Sequence, residues 1–322
     1  MNSPFEHRAF VPTADPAASL RGTEVGDAVR EHARRTPDRP AFLHKRHGRW
    51  FSLSWAYVGQ EVARLDAVLS AQLAAQGARD LRLVVSGAYD PDLVILALAA
   101  LAAGGKVYAL DPALAGADLA RALAVIAPTQ ALVQGRRAIG AWLDSPTHAR
   151  APVPLFVTRP FIQGNERWTI VPLRDPAETV APGAVRGGRG PAAGVVWVDE
   201  TTQWTGGLAS LLDAVLDDGR TVAFPETGAS ALRDRRELQP ASLLASAARR
   251  SRLIEEDRAR RGAQGGLLRR LTDWAERSPA FLAHPINRRR LAVLGLAGLD
   301  HPPLAVPAPS VALAARPVDA AV

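Results

Sequence analysis

The order of apolar and polar positions at residues 81–112 predicts a strand, a buried helix and a second strand. Residues 81–85 form a short apolar run rich in valine, which is typical of a buried strand. Asp90 and Pro91 form a favourable helix start, and residues 93–103 are apolar on nearly every helical face. We therefore expect a helix that is buried on all sides, followed by a second strand at residues 107–110. A unit this compact favours a crossover between two parallel strands.

The same patterns predict further elements on both sides of this unit. Apolar residues at helical spacing indicate helices, and short alternating runs beside a glycine indicate a hairpin. The predicted helices cover residues 25–35 and 54–76, the predicted strands cover residues 41–44, 50–53, 168–171 and 194–198, and residues 206–227 are predicted to form a helix and then a strand. Helices and strands that alternate in this way indicate an α/β fold.

The composition is that of a globular protein, because 48% of the residues are hydrophobic. The chain contains no cysteine, which excludes disulfides, thiol catalysis and cysteine-ligated metals. The first 20 residues lack the apolar core of a signal peptide, and the apolar helix is too short to cross a bilayer. We therefore expect a cytoplasmic protein.

Positive charge is concentrated toward the C-terminus. The formal net charge is +7, and only Lys45 and Lys106 are lysines among the 39 basic residues. Residues 233–290 hold 15 arginines against seven acidic residues. Leu271 and Trp274 would give one helix of this stretch an apolar face, which makes an anionic membrane surface a candidate partner. Interleaved acidic residues count against nucleic acid, and a solvated helix face is the simpler interpretation.

A series of short motifs resembles the start of the adenylate-forming (AMP-binding) enzymes. The order is TPDRPAF, a predicted hairpin, SWAY, a long helix, a glycine, and then the strand–helix–strand unit with its LDP. Within that superfamily the nearest match is the long-chain fatty acyl-CoA synthetases. Residues 206–227, GGLASLLDAVLDDGRTVAFPET, are similar to a helix and strand of the same family, and the likeness extends over about residues 22–300. The resemblance implies truncated N-terminal subdomains of that fold, with a mainly parallel sheet and flanking helices.

The resemblance also implies where ATP chemistry would occur, and the expected residue types are missing there. The family holds phosphates in a loop of the form TSGTTGxPK, where this chain has VRGGRGPAAG, without hydroxyl or lysine. By the resemblance, Arg186, Gly187, Gly188 and Arg189 stand at the remnant of that loop and are the candidate anion-binding residues, although a deletion that left no function is the simpler interpretation. Trp204 stands near the family's substrate gate and is a candidate for lining an acyl tunnel, although a core tryptophan is the simpler interpretation.

Two motifs, one for phosphate binding and one for a catalytic nucleophile, are incomplete in this sequence. Lys106 follows two glycines but lacks the earlier glycine and the following hydroxyl of a phosphate-binding P-loop. Ser86 lacks the glycine that a nucleophile elbow needs two residues before the serine. We also find no YGxTE adenine motif, and we expect the ribose-binding aspartate, the hinge and the C-terminal catalytic lysine of the family to be absent.

Candidate metal ligands and paired carboxylates are also sparse. His44 and His47 flank the predicted hairpin turn without a thiol or a nearby carboxylate to complete a zinc site, so a solvated turn is expected. Asp199 and Glu200 are adjacent, and neighbouring strand residues face opposite sides, so we expect a surface role for this pair. The sequence therefore predicts no metal centre and no catalytic residue.

Together these observations predict four parts: a flexible arm at residues 1–20, an α/β subdomain at 21–180, a second α/β portion with basic helices at 181–300, and a Pro/Ala-rich tail at 301–322. The leading hypothesis is a degenerate, non-catalytic interaction or regulatory protein. It would bind no cofactor alone, whereas the family uses ATP, Mg²⁺ and CoA, and its expected partner is a complete acyl-CoA ligase or another protein. The alternatives are an acyl-CoA ligase active only with a partner chain, and a basic module for a membrane surface or, less favoured, nucleic acid.

Overall fold

A computed structural model describes seven segments of the chain, at residues 22–146, 152–158, 164–173, 183–184, 192–217, 219–262 and 291–297. The predicted arm, the predicted tail and the apolar face at Leu271 and Trp274 lie outside the described residues. The predicted boundary near residue 180 also falls between described segments and stays a prediction.

Helices and strands alternate along the described residues. The helices are α1 (Gly22–Arg35), α2 (Trp55–Ala75), α3 (Pro91–Ala102), α4 (Gly116–Ile126), α5 (Arg136–Leu143), α6 (Gly207–Leu216), α7 (Ala231–Leu238) and α8 (Ala247–Gly262). The strands are β1 (Pro40–Arg46), β2 (Arg49–Ser54), β3 (Arg82–Ser86), β4 (Lys106–Ala109), β5 (Gln130–Val133), β6 (Val153–Val157), β7 (Trp168–Pro172), β8 (Gly183–Ala184), β9 (Ala192–Trp197), β10 (Thr221–Phe224) and β11 (Pro240–Leu243). Among the described residues, no helix is both long and apolar enough to cross a membrane.

The strands form two sheets. The five-stranded sheet has the order β4-β3-β5-β6-β7 and is parallel throughout. The six-stranded sheet has the order β11-β9-β10-β1-β2-β8, in which β2 and β8 run antiparallel to their neighbours and the other pairs are parallel. The predicted α/β class, with a mainly parallel sheet and flanking helices, is therefore confirmed.

A hairpin starts the six-stranded sheet. Its turn has His47 at φ 48° and Gly48 at φ 73°, and glycine favours this left-handed geometry. One strand of the hairpin, β1, then pairs in parallel with β10, where Phe42 lies opposite Val222. This sheet therefore combines strands from both sides of residue 180.

The helix α3 lies in the main core between the two sheets. That core combines α1, α2, α3 and α6 with one face of each sheet, whereas α4 and α5 cover the other face of the five-stranded sheet. Every residue of α3 from Pro91 to Leu101 is buried, and Leu96 is fully inaccessible. The predicted buried helix between two parallel strands is confirmed, because β3 and β4 pair in parallel on either side of it in the sequence.

The start of α3 is fixed by the residue that the pattern indicated, and glycines follow its end. Asp90 adopts an extended backbone and its Oδ1 accepts a hydrogen bond from Leu93 N at 2.8 Å, as an N-cap does. Gly104 follows the helix with φ 76°. At Gly105 an added Cβ would lie 2.7 Å from the Leu81 side chain, so this glycine lets β3 and the end of α3 approach closely.

Candidate functional site

The carboxyl edge of the five-stranded sheet contains a topological switch point. From β3 the chain crosses through α3 to β4 on one side, and from β4 it crosses through α4 to β5 on the other side of β3. Open parallel sheets bind ligands outside the carboxyl ends of the two strands at such a point. Residues 86–90, after β3, and 134–135, after β5, therefore form the candidate site.

A loop from the six-stranded sheet is hydrogen-bonded to this edge. Thr202 N donates to Gly87 O at 2.8 Å, and Gly87 N donates to Thr202 Oγ1 at 2.9 Å. The Thr202 hydroxyl in turn donates to Leu110 O at 2.5 Å. Gly87 has no room for a side chain, because an added Cβ would lie 2.4 Å from Gln134 Oε1. The loop after β9 is thus fixed over the end of β3.

Asp90 is the titratable group at the switch point. Burial and the neighbouring carboxylate of Asp92 raise the pKa of Asp90 to about 7, against the opposing hydrogen bonds from Leu93 N and the Gln134 side chain and the charge of Arg46. Arg46 donates to Asp92 Oδ2 at 3.1 Å, which joins β1 to α3. Asp90 therefore acts first as a helix cap that holds its proton more tightly than an ordinary aspartate.

Two buried hydroxyl groups near the switch point lack hydrogen-bond partners among the described residues. Ser86 Oγ and Tyr89 Oη are both inaccessible to solvent. Burial, followed by the charge of Glu200, raises the pKa of Tyr89, so its phenol stays neutral. Buried polar atoms usually have a partner, so these two groups are exceptions within the described residues.

The predicted site residue Trp204 lies in the loop before α6. It is half-buried and packs against the main core. Its indole ring covers Gly207, where an added Cβ would lie 2.6 Å from the ring. This position fits both interpretations of the residue, so an acyl-tunnel role for Trp204 stays a prediction.

The other predicted site, formed by Arg186, Gly187, Gly188 and Arg189, lies outside the described residues. Anion binding by this loop stays a prediction as well.

Neither lysine of the chain lies at the carboxyl edge of the five-stranded sheet. Lys45 is buried in β1, where its ammonium donates to Asp234 Oδ1 at 3.0 Å and also to Glu237. Burial opposes its charge, but these two carboxylates outweigh burial and raise the pKa of Lys45. Lys106 is exposed at the start of β4, on the amino edge of the sheet. The buried pairing could not be predicted from the sequence, because the partners of Lys45 lie 189 and 192 residues away.

The predicted surface role of Asp199 is wrong. Its side chain is 1% exposed, and Arg249 contacts both of its oxygens, at 3.1 Å to Oδ1 and 2.6 Å to Oδ2. The fully buried Arg235 donates to Oδ2 at 3.3 Å, and its Nε donates to Leu294 O at 2.8 Å. The two arginines neutralise Asp199, which allows its carboxylate to be buried. Two arginines of the basic stretch are therefore paired with a buried carboxylate.

The expected solvated turn at His44 is also wrong, because His44 is only 7% exposed and its ring lies 5.9 Å from that of Phe51. His47 does occupy the exposed turn. Within the described ranges no three histidine, aspartate or glutamate side chains are close enough to hold a metal ion. A zinc site at the hairpin therefore has no support among these residues.

No protein-family model and no curated protein matches the chain. Solved structures do match. A luciferase-like enzyme from the mealworm Zophobas morio is 17% identical with a TM-score of 0.47, over 69% of this chain and 58% of that one. Acetoacetyl-CoA synthetase from Streptomyces lividans is 17% identical with a TM-score of 0.47, over 69% of this chain and 42% of that one.

A putative long-chain-fatty-acid CoA ligase from Rhodopseudomonas palustris is 16% identical with a TM-score of 0.47, over 69% of this chain and 63% of that one. The chain thus spans 42% to 63% of the length of these three structures. At such identities the likeness is one of fold.

Proposed function

We propose that this chain is a non-catalytic homologue of the acyl-CoA synthetase-like, adenylate-forming enzymes and acts as an interaction protein. Such enzymes transfer an adenylyl group from ATP, and catalysis of that kind depends on positive charge placed against the phosphates. The proposal is supported by how few residues of this chain could place positive charge against those phosphates.

The observation that carries the proposal is the position of the two lysines. Lys45 is held by two carboxylates in a buried ion-pair cluster, so its ammonium is already neutralised. Lys106 lies at the amino edge of its sheet, whereas ligands of parallel sheets bind at the carboxyl edge. Neither lysine therefore offers a free ammonium at the carboxyl edge of the five-stranded sheet, and the segment VRGGRGPAAG supplies no hydroxyl, which supports the proposal.

The proposed interaction role is supported by the scaffold that the described residues retain. The described residues retain two sheets, a shared core and buried ion pairs that cross between elements distant in the sequence. A chain that preserves such a scaffold without the groups for phosphate chemistry is suited to binding another molecule. By the resemblance, the proposed partner is a complete acyl-CoA ligase.

The catalytic part of the proposal is tested by pyrophosphate release. Purified protein is incubated with MgATP and palmitate, alongside an active long-chain acyl-CoA ligase and a blank without protein. We expect release at the level of the blank. The control variant Arg186→Ala/Arg189→Ala should behave identically. Release clearly above the blank that this double variant abolishes would show that the loop is catalytic and would overturn the proposal.

The interaction part is tested with a complete acyl-CoA ligase from the same genome. We expect the two proteins to sediment as one complex and the rate of the ligase to change when this chain is added. Separate sedimentation with an unchanged rate would remove the ligase as the partner. New activity in the mixture that is lost with Arg186→Ala/Arg189→Ala would instead favour a ligase completed by a partner chain.

A further inference from the structure

The first turn of α5 has three backbone amides without an acceptor. Its N-cap is Gly135, which has φ 90° and no side chain to cap the helix. The first bond of the helix runs from Ile139 N to Gly135 O at 3.0 Å. The amides of Arg136, Arg137 and Ala138 therefore donate to no atom of the described residues. Such amides point along the helix axis toward the carboxyl edge of the sheet.

The charges in this turn are arranged for an anion. Arg136 and Arg137 are exposed, and neither forms an ion pair within the described part of the chain. Acidic residues are favourable at the positive end of a helix dipole, whereas this turn contains none and carries two arginines instead. A bound anion would relieve that unfavourable arrangement and would also satisfy the three amides.

A buried hydroxyl on the neighbouring strand gives independent evidence for a ligand. Ser86 is 0% exposed and its Oγ has no partner among the described residues. It lies opposite Val133 at the end of β5, and Ser86 O accepts from Gln134 N at 2.9 Å. Side chains alternate along a strand, so Ser86 faces the same side as Val84, which belongs to the core cluster on the α4 and α5 face of the sheet. The hydroxyl is thus aimed toward the side of the sheet where α5 begins.

We propose that the first turn of α5, together with Ser86, binds a phosphate group, either as inorganic phosphate or as part of a small phosphomonoester. The turn follows β5 at the switch point, where parallel sheets place their ligands. Amides at a helix start and guanidinium groups together match the several oxygens of a phosphate. This site includes none of the residues on which the proposed function rests, and it does not depend on that function.

The acidic residues on the neighbouring strand ends do not compete for this position. Asp90 caps α3 through Leu93 N, and α3 lies on the other face of the sheet from α5. The carboxylate of Asp111, after β4, accepts from Ala113 N at 2.8 Å. Both carboxylates are therefore engaged in turns of their own.

The test is equilibrium dialysis of the full chain at low ionic strength with radiolabelled inorganic phosphate, and in a second arm with phenyl phosphate. The double variant Arg136→Gln/Arg137→Gln should bind roughly tenfold more weakly or worse. The matched control is Arg79→Gln/Arg167→Gln, which removes the same charge from exposed residues at the amino edge of the same sheet, about 16 Å away along the strands. The control should stay within about twofold of the wild type, since screening weakens distant charges.

A third variant separates binding from stability. Ser86→Ala removes a buried hydroxyl without a partner, so the unliganded protein should be at least as stable as the wild type. Its phosphate affinity should nevertheless fall several-fold. Binding of phenyl phosphate alone would identify an organic phosphate as the ligand, and binding of both would show that free phosphate suffices. The proposal is overturned if neither anion binds, or if the control loses as much affinity as the double variant.

Discussion

Lys45 shows how strongly single residues depend on distant partners. A buried ammonium is costly unless it is paired, and Lys45 is paired with Asp234, which is 0% exposed, and with Glu237. Burial alone would raise the pKa of Asp234, but hydrogen bonds from Ser230, the Glu226 amide and Lys45 outweigh burial and lower it. The cluster fastens α7 to the hairpin strand β1.

Replacing Lys45 should therefore strongly lower the stability of the folded protein. We expect Lys45→Ala to lower the free energy of unfolding by about 3–5 kcal/mol, because Asp234 would keep a buried carboxylate without its cation. Urea unfolding measures the change. The matched control is Lys106→Ala, the other lysine of the chain, which is exposed and should change stability by no more than about 0.5 kcal/mol. Equal losses in the two variants would contradict the buried role of Lys45.

Asp90 should make stability depend on pH. Its pKa in the folded protein is raised by burial and by Asp92, so the folded state binds this proton more tightly than the unfolded state. The stabilisation from this proton is fully present below the unfolded pKa of 3.8 and is lost as the pH rises to about 7. Asp90→Asn keeps a favourable N-cap and removes the titration.

The measurement is urea unfolding of wild type and Asp90→Asn at about pH 3 and about pH 8, chosen to bracket the interval between the two pKa values. The stability of the wild type relative to the variant should be higher at the lower pH. Other titrating groups, such as Asp234 and Lys45, are shared by both proteins and cancel in the difference. A difference that does not change with pH would show that the surroundings of Asp90 do not raise its pKa.

Among the elements, α3 contributes most to the shared core. Leu96 is fully buried, so Leu96→Ala should cost about 2–5 kcal/mol through lost contacts and the cavity left behind. Val125 in α4 is 64% exposed and provides the control, because Val125→Ala removes little buried surface. Thermal and urea unfolding compare the two variants. A loss at Leu96 no larger than that at Val125 would refute the buried position of α3.

Local signals explain which elements could be predicted from the sequence. The cap at Asp90 and the hairpin with a glycine in its turn both act within a few residues, and each was predicted. The helix α7, ALRDRREL, was not predicted, because its polar residues show no apolar face in the sequence. Its buried residues are Ala231, Asp234 and Arg235, and the burial of the two charged side chains can be explained only by their tertiary partners.

The candidate site likewise depends on elements that are far apart in the sequence. The strand and helix around β3 were predicted, but the switch point also requires β5 and α5, which were not predicted. Asp199 was assigned to the surface because its partners, Arg235 and Arg249, follow 36 and 50 residues later. Spacing within one segment carries no information about such pairs.

At the scale of the whole molecule, the two sheets share one core. The helix α1 contacts α2, α3 and α6, and the His32 ring stacks on Trp55 at 4.4 Å while its Nε2 lies 2.7 Å from Leu216 O in α6. The strand β1 pairs with β10, and Thr202 connects the loop after β9 to the end of β3. Elements from both sides of residue 180 therefore bury the same apolar surface.

We accordingly expect the chain to unfold as one cooperative unit and a chain ending at residue 180 not to fold. The shortened chain would lose β10, the parallel partner of β1, and the core residues Leu211 and Phe224. Exposed apolar surface and an unpaired strand edge favour aggregation over a native state. The comparison uses near-ultraviolet circular dichroism and urea unfolding of both chains, purified in the same way. The full chain should show one sharp transition, and the shortened chain should show neither a near-ultraviolet signal nor a cooperative transition. A sharp transition in the shortened chain, or two separate transitions in the full one, would mean that the sheets fold independently and that the shared core contributes little to stability.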